Sequence, residues 1–364
     1  MLNQEPRVGI IVLNLERADD TIECLSSLKE LCYDNRAVVL ADNGSSRECL
    51  EKILRAHPET AVFRNGDNLG FAAGSNLAIR HCIDELRCDY VLLLNNDVIV
   101  DAGMLRHMIS TAESRPDAAA VGAKICFYDR PNIINHVGGV MDDSTALGAH
   151  VGYNEEDYGR YEDTIEADYV TGAAMLISAE TISQAGLFDE DYFYYYEDAD
   201  WCARAGALGY RMLVNPKAKA WHKIGRTAGE MGTLYAETRN RPLYILKNFP
   251  ENMPVFEPRY IEDVQKGIRE RVAKGRILQA AAIWMGFEDF CTGALGRGRI
   301  DVARQMNELS PLPLPLDENG RRTLRAAETM GKRAFRNRLI SQFRNGLRRG
   351  LCEMRQKPEP EYIG

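Results

Sequence analysis

Hydrophobic and polar positions along the first two thirds of the chain predict short strands that alternate with amphipathic helices. Runs of aliphatic and β-branched residues occur at 8–14, 37–43, 61–65 and 89–97. After the first run, one face of a helix is indicated by the spacing of Ile22, Leu25, Leu28 and Leu31. This alternation predicts an α/β fold with a mixed, mostly parallel sheet flanked by helices.

The later part of the chain changes from strand patterns to helical ones. Further strands are predicted at 119–127, 168–178, 210–215 and 219–222. From Thr233 the pattern is helical, and the Pro-rich stretch 311–316 is typical of a stiff spacer. We therefore predict a sheet-containing domain over residues 1–245 and a mainly helical C-terminal extension over residues 246–364.

Composition and charge exclude several classes of protein. The 364 residues are 45% hydrophobic and 27% charged, and the formal net charge of -8 argues against a nucleic-acid binder. Nine cysteines without a Cys-x-x-Cys pair or zinc-ligand spacing indicate reduced thiols in a cytosolic protein. The apolar run from Val8 to Leu13 is too short for a signal sequence, and no stretch approaches the ~20 apolar residues of a membrane span. We expect a cytoplasmic protein that is soluble or peripherally attached to a membrane.

Polar residues lie at the ends of three predicted strands. They are Asn14, Asp42 and Asp97. Because open parallel sheets bind ligands at the carboxyl ends of their strands, we expect these side chains to point toward one ligand-binding edge. Asn and Asp are also common turn residues, which is the structural alternative.

Two neighbouring segments contain candidate phosphate and metal contacts. In the stretch NLGFAAGSNLAIR, two glycines lead into a helix whose backbone N–H groups, together with Arg80, can face a diphosphate. Close helix packing explains these glycines equally well, and the dinucleotide spacing G-x-G-x-x-G is absent. Asp97 suits a hard divalent cation, with His222 as a second ligand, although a single histidine is often a packed side chain.

Three acids gather at the start of a later helical pattern. Glu197, Asp198 and Asp200 follow an aromatic run and surround the beginning of this helix. The macrodipole favours acids in a first helical turn, so a structural role is the simplest interpretation. A carboxylate at this position is also a candidate general base.

Taken together, these segments resemble the glycosyltransferases of family 2, in the rhamnosyltransferase-like branch. The resemblance covers residues 8–245 and rests on motifs that occur in order: VGIIVLN, DTIECLSSL, VVLADNGSS, NLGFAAGSN, YVLLLNNDV, DYVTGAAMLIS, GLFDEDYFYYYEDADWCARAGALGYRMLVNPKAKAWH and the pair Arg239 and Asn240. Each motif alone is weak, but their order and spacing are specific. The resemblance implies a GT-A fold, a nucleotide-sugar donor, inversion at the anomeric carbon and a divalent metal, Mg2+ or Mn2+.

The resemblance also implies roles for individual residues. Asp42 would bind the base or ribose, Asp97 and His222 would hold the metal, and Asp198 would be the general base. We expect further donor contacts from Asn14, Asn68, Gly70 and Arg80. We expect acceptor contacts from Gly172, Glu197 and Trp201.

The sequence departs from the family pattern at two places. Asn95 stands where many relatives have a first acid in the metal motif, and Leu15 and Glu16 replace an aromatic and polar pair after the first strand. The proposed base is unaffected. An inverting transfer needs this base to take the acceptor hydroxyl proton and a Lewis acid to neutralise the leaving diphosphate.

Two other functions, and several donor sugars, are alternatives to this interpretation. A nucleotidyltransferase would need a Gly-rich loop after the first strand, which LNLERADD lacks. A catalytically inactive sugar-binding relative is disfavoured because Asp97, Asp198 and His222 are all present. The best match for the donor is dTDP-L-rhamnose, with UDP-galactofuranose and UDP-hexoses as alternatives. The expected acceptor is a glycan or a lipid-linked glycan.

The C-terminal tail has its own pattern. Residues 332–357 carry nine Lys or Arg residues against the single acid Glu353. An apolar stripe at helical spacing consists of Phe335, Leu339, Phe343, Leu347, Leu351 and Met354. Such a helix can lie on an anionic membrane surface beside a lipid-linked acceptor. The alternative is that the stripe docks on the protein's own helices.

Overall fold

A computed structural model describes residues 5–224, 229–306, 316–329 and 332–354. The chain forms two compact units. The first contains the described residues up to Met141 together with Gly148–Glu190 and Glu197–Ile224. The second contains Asp142–Leu147, Asp191–Tyr196 and the described residues from Gly229 onward.

Apolar and β-branched runs form the strands of the structure. They are β1 (Val8–Asn14), β2 (Arg36–Asp42), β3 (Ala61–Arg64), β4 (Tyr90–Asn95), β5 (Val98–Val100), β6 (Ala118–Phe127), β7 (Ile134–His136), β8 (Gly139–Asp142), β9 (Leu147–His150), β10 (Ile165–Ala167), β11 (Ala174–Ser178) and β12 (Arg211–His222). A ten-stranded sheet has the order β10-β12-β6-β11-β4-β1-β2-β3, with β5 beside β12 and β7 beside β6. Strands β8 and β9 pair separately.

The register of the N-terminal strands brings their carboxyl ends to one edge. β1 lies in parallel between β2 and β4, with Asn14 opposite Asp42 and Leu13 opposite Asn95. β11 runs antiparallel to both β4 and β6, so the sheet is mixed. The α/β fold class predicted from the sequence is therefore confirmed.

Two predicted strands, 210–215 and 219–222, form the single strand β12. The register between β12 and β6 shifts between Asn215 and Lys219. Pro216 lies at this irregularity and has no N–H to donate to the ladder, which explains why the sequence pattern breaks there. The bulge lets the strand continue to His222.

The first unit has a core packed on both faces of its sheet. Its helices are α1 (Ala18–Lys29), α2 (Arg47–Ala56), α3 (Gly70–Arg80), α4 (Met104–Ser114), α5 (Ala179–Ala185) and α6 (Glu197–Ala207). Alternate residues Val8, Ile10 and Val12 of β1 are fully buried, and so is Ile11 between them. A strand buried on both faces is typical of a largely parallel sheet that helices cover on each side.

The second unit is helical and has an aromatic core. Its helices are α7 (Gly229–Asn248), α8 (Met253–Ala273), α9 (Ile277–Thr292), α10 (Ile300–Gln305), α11 (Glu318–Thr329) and α12 (Lys332–Met354). The rings of Tyr260, Phe287 and Phe343 have centroids 5.4 to 6.4 Å apart. The predicted domain boundary at residue 245 lies within α7, which belongs to this unit from its first residue.

Buried polar residues of α7 hold an unusual backbone segment of the second unit. Asn240 Nδ2 donates at 2.7 to 3.1 Å to the backbone oxygens of Tyr192, Tyr194 and Tyr195. Positive φ angles of 64°, 65° and 74° occur at Phe193, Tyr195 and Tyr196. The left-handed region costs a non-glycine residue roughly 1 kcal/mol or more. The hydrogen bonds to Asn240 therefore stabilise a backbone that these aromatic residues disfavour.

The tail docks at least partly on the protein itself. Leu339 and Phe343 of α12 are fully buried, and the Phe343 ring lies 5.4 Å from those of Tyr260 and Phe290. This burial favours self-docking over membrane contact for that part of the stripe. The other four stripe side chains, and most of the stretch 311–316, lie outside the described residues. Across the described ranges, every helix is too short or too polar to cross a bilayer.

We expect Phe343→Ala to lower the free energy of unfolding by about 3–5 kcal/mol, because it replaces a fully buried ring with a cavity. Urea unfolding followed by circular dichroism measures this loss. Asn345→Ala, at an exposed position of the same helix, is the control and should change stability by less than about 0.5 kcal/mol. Equal, small losses for both variants would contradict the docking of α12.

Candidate active site

Asn14, the last residue of β1, is the centre of a buried hydrogen-bond network. Its Nδ2 donates to Ser45 Oγ at 2.9 Å and to Asp42 Oδ1 at 3.3 Å. Its Oδ1 accepts from Thr21 Oγ1 at 2.8 Å and from Asn96 Nδ2 at 3.1 Å. These four bonds use the full capacity of the carboxamide. Asn14 therefore positions Asp42, and its own contact with the donor stays a prediction.

Asp42, the last residue of β2, has one carboxylate oxygen that the described residues leave open. The residue is fully buried, and its Oδ1 accepts from Asn14 and from the backbone N of Ser45. Its Oδ2 accepts no hydrogen bond within the described ranges, although Arg64 Nε lies 3.4 Å away. A buried carboxylate oxygen without a donor is destabilising. An N–H or O–H group of a bound ligand would satisfy it.

Asn43 organises the turn that leads into α3. Its Nδ2 donates to the backbone oxygen of Gly70 at 2.9 Å, and its Oδ1 accepts from Leu69 N at 3.2 Å. Gly70 has a φ of 82°, which favours glycine, and a Cβ at Gly74 would lie 2.9 Å from Asn43 Oδ1. The turn is thus built by a residue that the sequence analysis did not select.

The residues predicted to contact the diphosphate have different positions in α3. Asn68 Oδ1 accepts from Gly70 N at 3.0 Å, so that this amide is already bonded within the turn. Arg80 is the exposed last residue of the helix, about 15 Å along its axis from Gly70. The structure therefore keeps Asn68 and Gly70 at the strand edge but does not bring Arg80 there.

Asp97 and His222 meet beyond the end of β4. Asp97 Oδ1 lies 2.9 Å from His222 Nε2, and the backbone N of Lys223 donates to Asp97 O at 3.0 Å. The pairing of β12 with β5 sets His222 opposite Val98 and so creates this contact. The two residues predicted as metal ligands are therefore neighbours, although they are far apart in the sequence.

This pair fits a divalent cation. Carboxylate oxygen and imidazole nitrogen both suit Mn2+, and Mg2+ is often held by one or two carboxylates with its other positions open to water and phosphate oxygens. Within the described part of the chain, no cluster of three or more His, Cys, Asp or Glu residues forms a larger set of ligands. Asp97 and His222 thus suit a cation that is shared with a ligand.

The carboxylate of Asp198 is held by two backbone amides at the start of α6. Gly172 N donates to Oδ2 at 3.0 Å, and Ala199 N donates to Oδ1 at 2.8 Å. Burial raises the pKa of Asp198 above its ordinary value of 3.8, whereas these hydrogen bonds lower it. The result is an oriented carboxylate that is more basic than an aspartate in water.

A turn at Gly172 connects this carboxylate with the edge that carries Asp97. The backbone O of Ala173 accepts from Asn95 N at 3.1 Å, and β11 begins directly afterwards beside β4. A Cβ at Gly172 would lie 2.5 Å from Phe71 Cζ, so the position requires glycine unless the ring moves. Because the Gly172 N–H is bonded to Asp198, it orients this carboxylate, and the acceptor contact of Gly172 stays a prediction.

Glu197 lies beside Asp198 as a buried carboxyl group. It is 5% exposed, and its Oε2 has no hydrogen-bond partner within the described residues. Burial, followed by the negative charge of Asp198, raises the pKa of Glu197 well above its ordinary 4.5. The environment thus favours the uncharged form of Glu197 next to the candidate base.

The remaining predicted residues of α6 have structural roles. Asp200 accepts from Arg204 Nε at 2.9 Å, one helical turn later. Trp201 is fully buried, and its Nε1 donates to Gly186 O at 2.8 Å. A ring without exposed surface cannot stack on a sugar, so the predicted acceptor contact of Trp201 is wrong. The aromatic residue belongs to the core, beside Phe188.

Lys223 fixes the chain directly after His222. It was not among the site residues predicted from the sequence. Its Nζ donates to Asp20 Oδ1 at 2.9 Å and to Glu23 Oε2 at 2.7 Å, both on α1. The motif AWHK contains this lysine, but its partners lie at the other end of the domain sequence. Only the folded sheet brings them together.

Comparisons with known proteins find a family model and several relatives similar to this chain. Residues 9–180 match the family model "Glycosyl transferase family 2". The low-salt glycan biosynthesis hexosyltransferase Agl10 of Haloferax volcanii is 26% identical over 202 residues, 54% of this chain and 61% of that protein. The N-acetylglucosaminyl-diphospho-decaprenol L-rhamnosyltransferase of Mycobacterium tuberculosis is 25% identical over 231 residues, 57% of this chain and 73% of that protein. The chain thus matches about three fifths of the length of the first relative.

A solved structure supports the fold alone. TarS of S. aureus, residues 1–349, superposes with a TM-score of 0.50 at 14% sequence identity. The superposition covers 93% of this chain and 92% of that one. Together with the strand order, it confirms the predicted fold class of a mixed α/β sheet followed by a helical region.

We expect Glu197→Gln to stabilise the protein increasingly as the pH rises above 4.5. The folded state raises the pKa of Glu197, so ionisation of this group favours the unfolded state. The wild type therefore loses stability between the unfolded and folded pKa values, by up to about 1.4 kcal/mol per pH unit. Glutamine has a similar shape and does not ionise.

Urea unfolding of both proteins between pH 4 and 9 tests this expectation. Glu180→Gln, in the exposed first turn of α5, is the matched control and should change stability by less than about 0.5 kcal/mol. A stability difference between Glu197→Gln and wild type that stays constant with pH would contradict the uncharged state of Glu197.

Proposed function

Because the chain carries a domain of glycosyl transferase family 2 over residues 9–180, we propose that it is an inverting glycosyltransferase. The reaction would move a sugar from a nucleotide-sugar donor to a hydroxyl group of a glycan or lipid-linked glycan. The observation that carries this proposal is the Asp198 carboxylate, which the Gly172 amide holds beside the strand edge of Asp97. A base and a candidate cation site are what a single displacement requires.

Asp198 is proposed as the general base of this displacement. Its carboxylate would take the proton of the acceptor hydroxyl while that oxygen attacks the anomeric carbon. The bond from the anomeric carbon to the diphosphate oxygen breaks on the opposite face, so the configuration is inverted. The raised pKa makes Asp198 a stronger acceptor of this proton, and its two amide contacts keep it oriented.

Asp97 and His222 are proposed to hold Mg2+ or Mn2+. When bound, such an ion acts as a Lewis acid that neutralises the diphosphate leaving group. The 2.9 Å contact between Asp97 Oδ1 and His222 Nε2 supports this assignment, because it brings the two ligand atoms close enough for one ion to bind both. Lys223 would keep His222 in place through its ion pairs with α1.

Asp42 is proposed to select the nucleotide. Its buried Oδ2, which has no hydrogen-bond donor among the described residues, would accept from the imide N–H of uracil or thymine or from a hydroxyl of ribose. We propose dTDP-L-rhamnose as the donor, supported by the similarity to an L-rhamnosyltransferase. The alternatives are UDP-galactofuranose and a UDP-hexose; the similarity to a hexosyltransferase supports the latter.

The setting of the reaction is proposed from the cysteines and the relatives. The eight described cysteines that are free of disulfides favour a reducing, cytoplasmic compartment. The named relative from Mycobacterium tuberculosis acts on a decaprenol-linked sugar, which supports a lipid-linked acceptor for this chain as well. Contact with the membrane surface through the exposed basic residues of α12 is part of this proposal.

We expect Asp198→Asn to reduce sugar transfer by about 10²- to 10⁴-fold while donor affinity stays nearly unchanged, because the amide cannot take the proton. Turnover is measured with dTDP-L-rhamnose, UDP-galactofuranose and a UDP-hexose as donors, and donor affinity is measured by calorimetry. Glu180→Gln, another acid in a first helical turn, is the control and should retain activity. More than a tenth of wild-type turnover in Asp198→Asn would refute the base.

We expect Asp97→Ala and His222→Ala each to raise the Mn2+ concentration needed for half-maximal rate. Each variant removes one of two adjacent ligands. Calorimetric titration with Mn2+ alone provides a second readout. Asp84→Ala, at an exposed position, is the control. Full activity of the wild-type enzyme in excess chelator would eliminate the metal from the proposal.

A further inference from the structure

A buried histidine in contact with Thr171, the residue before Gly172, has no role in the transfer proposed above. His136, the last residue of β7, is 3% exposed. Its Nε2 lies 3.1 Å from Thr171 Oγ1, and its Nδ1 lies 3.4 Å from the backbone N of Gly138. Both nitrogens of the ring are therefore engaged, one with a side chain and the other with the backbone.

The direction of these hydrogen bonds follows from the backbone. The N–H of Gly138 can only donate, so Nδ1 of His136 accepts. Burial, and the positive charge that His150 and His222 can carry, lower the pKa of His136 well below 6.5, so the ring is neutral at neutral pH. A neutral imidazole that accepts at Nδ1 carries its proton on Nε2. His136 therefore donates, and Thr171 Oγ1 accepts.

This bond determines what Thr171 can do next. With the imidazole as its donor, the hydroxyl is free to donate its own proton in another direction. Within the described residues, Thr171 Oγ1 has no second partner. Thr171 is also only partly buried, so a ligand can reach it.

Thr171 directly precedes Gly172, the residue whose backbone N holds the candidate base. Its carbonyl carbon is bonded to the Gly172 nitrogen, which donates to Asp198 Oδ2 at 3.0 Å. The unused hydroxyl proton is therefore close to the place where the transferred sugar and the acceptor would meet. Oxygen atoms of sugar hydroxyls are the acceptors that both molecules offer there.

We propose that Thr171 donates a hydrogen bond to a sugar hydroxyl oxygen next to Asp198, and that His136 is the positioning residue that directs it. The inference rests on the proposed glycosyltransferase function. It adds a neutral contact that binds the carbohydrate and takes no proton from it. The sugar belongs either to the donor or to the acceptor, and the two sources are separated by experiment.

The test compares Thr171→Val, which removes the hydroxyl with little change of shape, with Thr171→Ser, which keeps it. One arm measures hydrolysis of dTDP-L-rhamnose, UDP-galactofuranose and UDP-glucose without an acceptor. The other measures the KM of octyl glycosides as acceptors. Loss of a neutral hydrogen bond predicts a change of about 2- to 12-fold in one arm for Thr171→Val. Thr171→Ser should stay near wild type.

His136→Phe tests the positioning role in a double-mutant cycle. It should reproduce the change seen in Thr171→Val, and it should add nothing in the Thr171→Val background, because the hydroxyl it directs is already absent. A similar loss in both backgrounds would show a merely structural histidine and overturn that role. Thermal unfolding checks that each variant is folded. If His136→Phe does not fold, the comparison of Thr171→Val with Thr171→Ser still tests the contact.

The two arms decide the rest of the proposal. An effect on hydrolysis assigns the contact to the donor sugar, and an effect on acceptor KM alone assigns it to the acceptor. If Thr171→Val changes neither hydrolysis nor acceptor KM, the proposed contact is overturned. Absence of turnover in the wild type would count against the proposed function instead. In that case the contact is tested by binding: for each donor, the affinity of the nucleotide sugar is compared with the affinity of the free nucleotide. If Thr171→Val leaves this difference unchanged, the contact is overturned.

Discussion

The carboxamide of Asn14 is the interaction on which the arrangement of the candidate site depends. Its four hydrogen bonds join α1, the turn after β2 and the turn after β4 within one buried network. Loss of this side chain would leave several buried polar groups without partners, each at a cost of about 1–3 kcal/mol. The orientation of Asp42 and the course of the chain toward Asp97 both follow from this constraint.

The carboxyl groups at the start of α6 destabilise the fold, in contrast to the carboxamide of Asn14. Glu197 is buried and Asp198 is half-buried, and the pKa of each is raised. Two backbone donors compensate Asp198, whereas Glu197 Oε2 has none among the described residues. A sequence selected only for stability would avoid such a pair. Its presence is typical of sites where a reactive group is held in a destabilising environment.

The sequence predicted the N-terminal strands β1 to β4 well, because each has a continuous apolar run that ends on a polar residue. It also predicted Asp97 and His222 as ligands of one cation, and the structure brings these two side chains to 2.9 Å from each other. The predicted strand 168–178 was too long, since β11 begins only at Ala174 and Tyr169 forms an isolated bridge with Gly139. Residues 168–173 have an apolar pattern but turn to present Gly172 to Asp198.

Side-chain roles were harder to predict than strands, because they depend on contacts between distant segments. Trp201 follows the three acids directly, yet helical geometry turns its ring into the core. Arg80 shares a motif with Gly70, yet the length of α3 separates them. Thr171 and His136 carry no signal in the local sequence, since their hydrogen bond forms only when β7 and the turn before β11 come together.

The segments Asp142–Leu147 and Asp191–Tyr196 belong to the second unit, although residues of the first unit flank them in the chain. The left-handed backbone at Phe193, Tyr195 and Tyr196 depends on Asn240, about 45 residues later. The segments of the two units consequently alternate along the chain, and the units are not exchangeable modules. A chimaera that joins the first 224 residues to the helices of another relative would pair a foreign α7 with the native aromatic segment. Recombination between such enzymes would have to exchange both internal segments together with the helices that hold them.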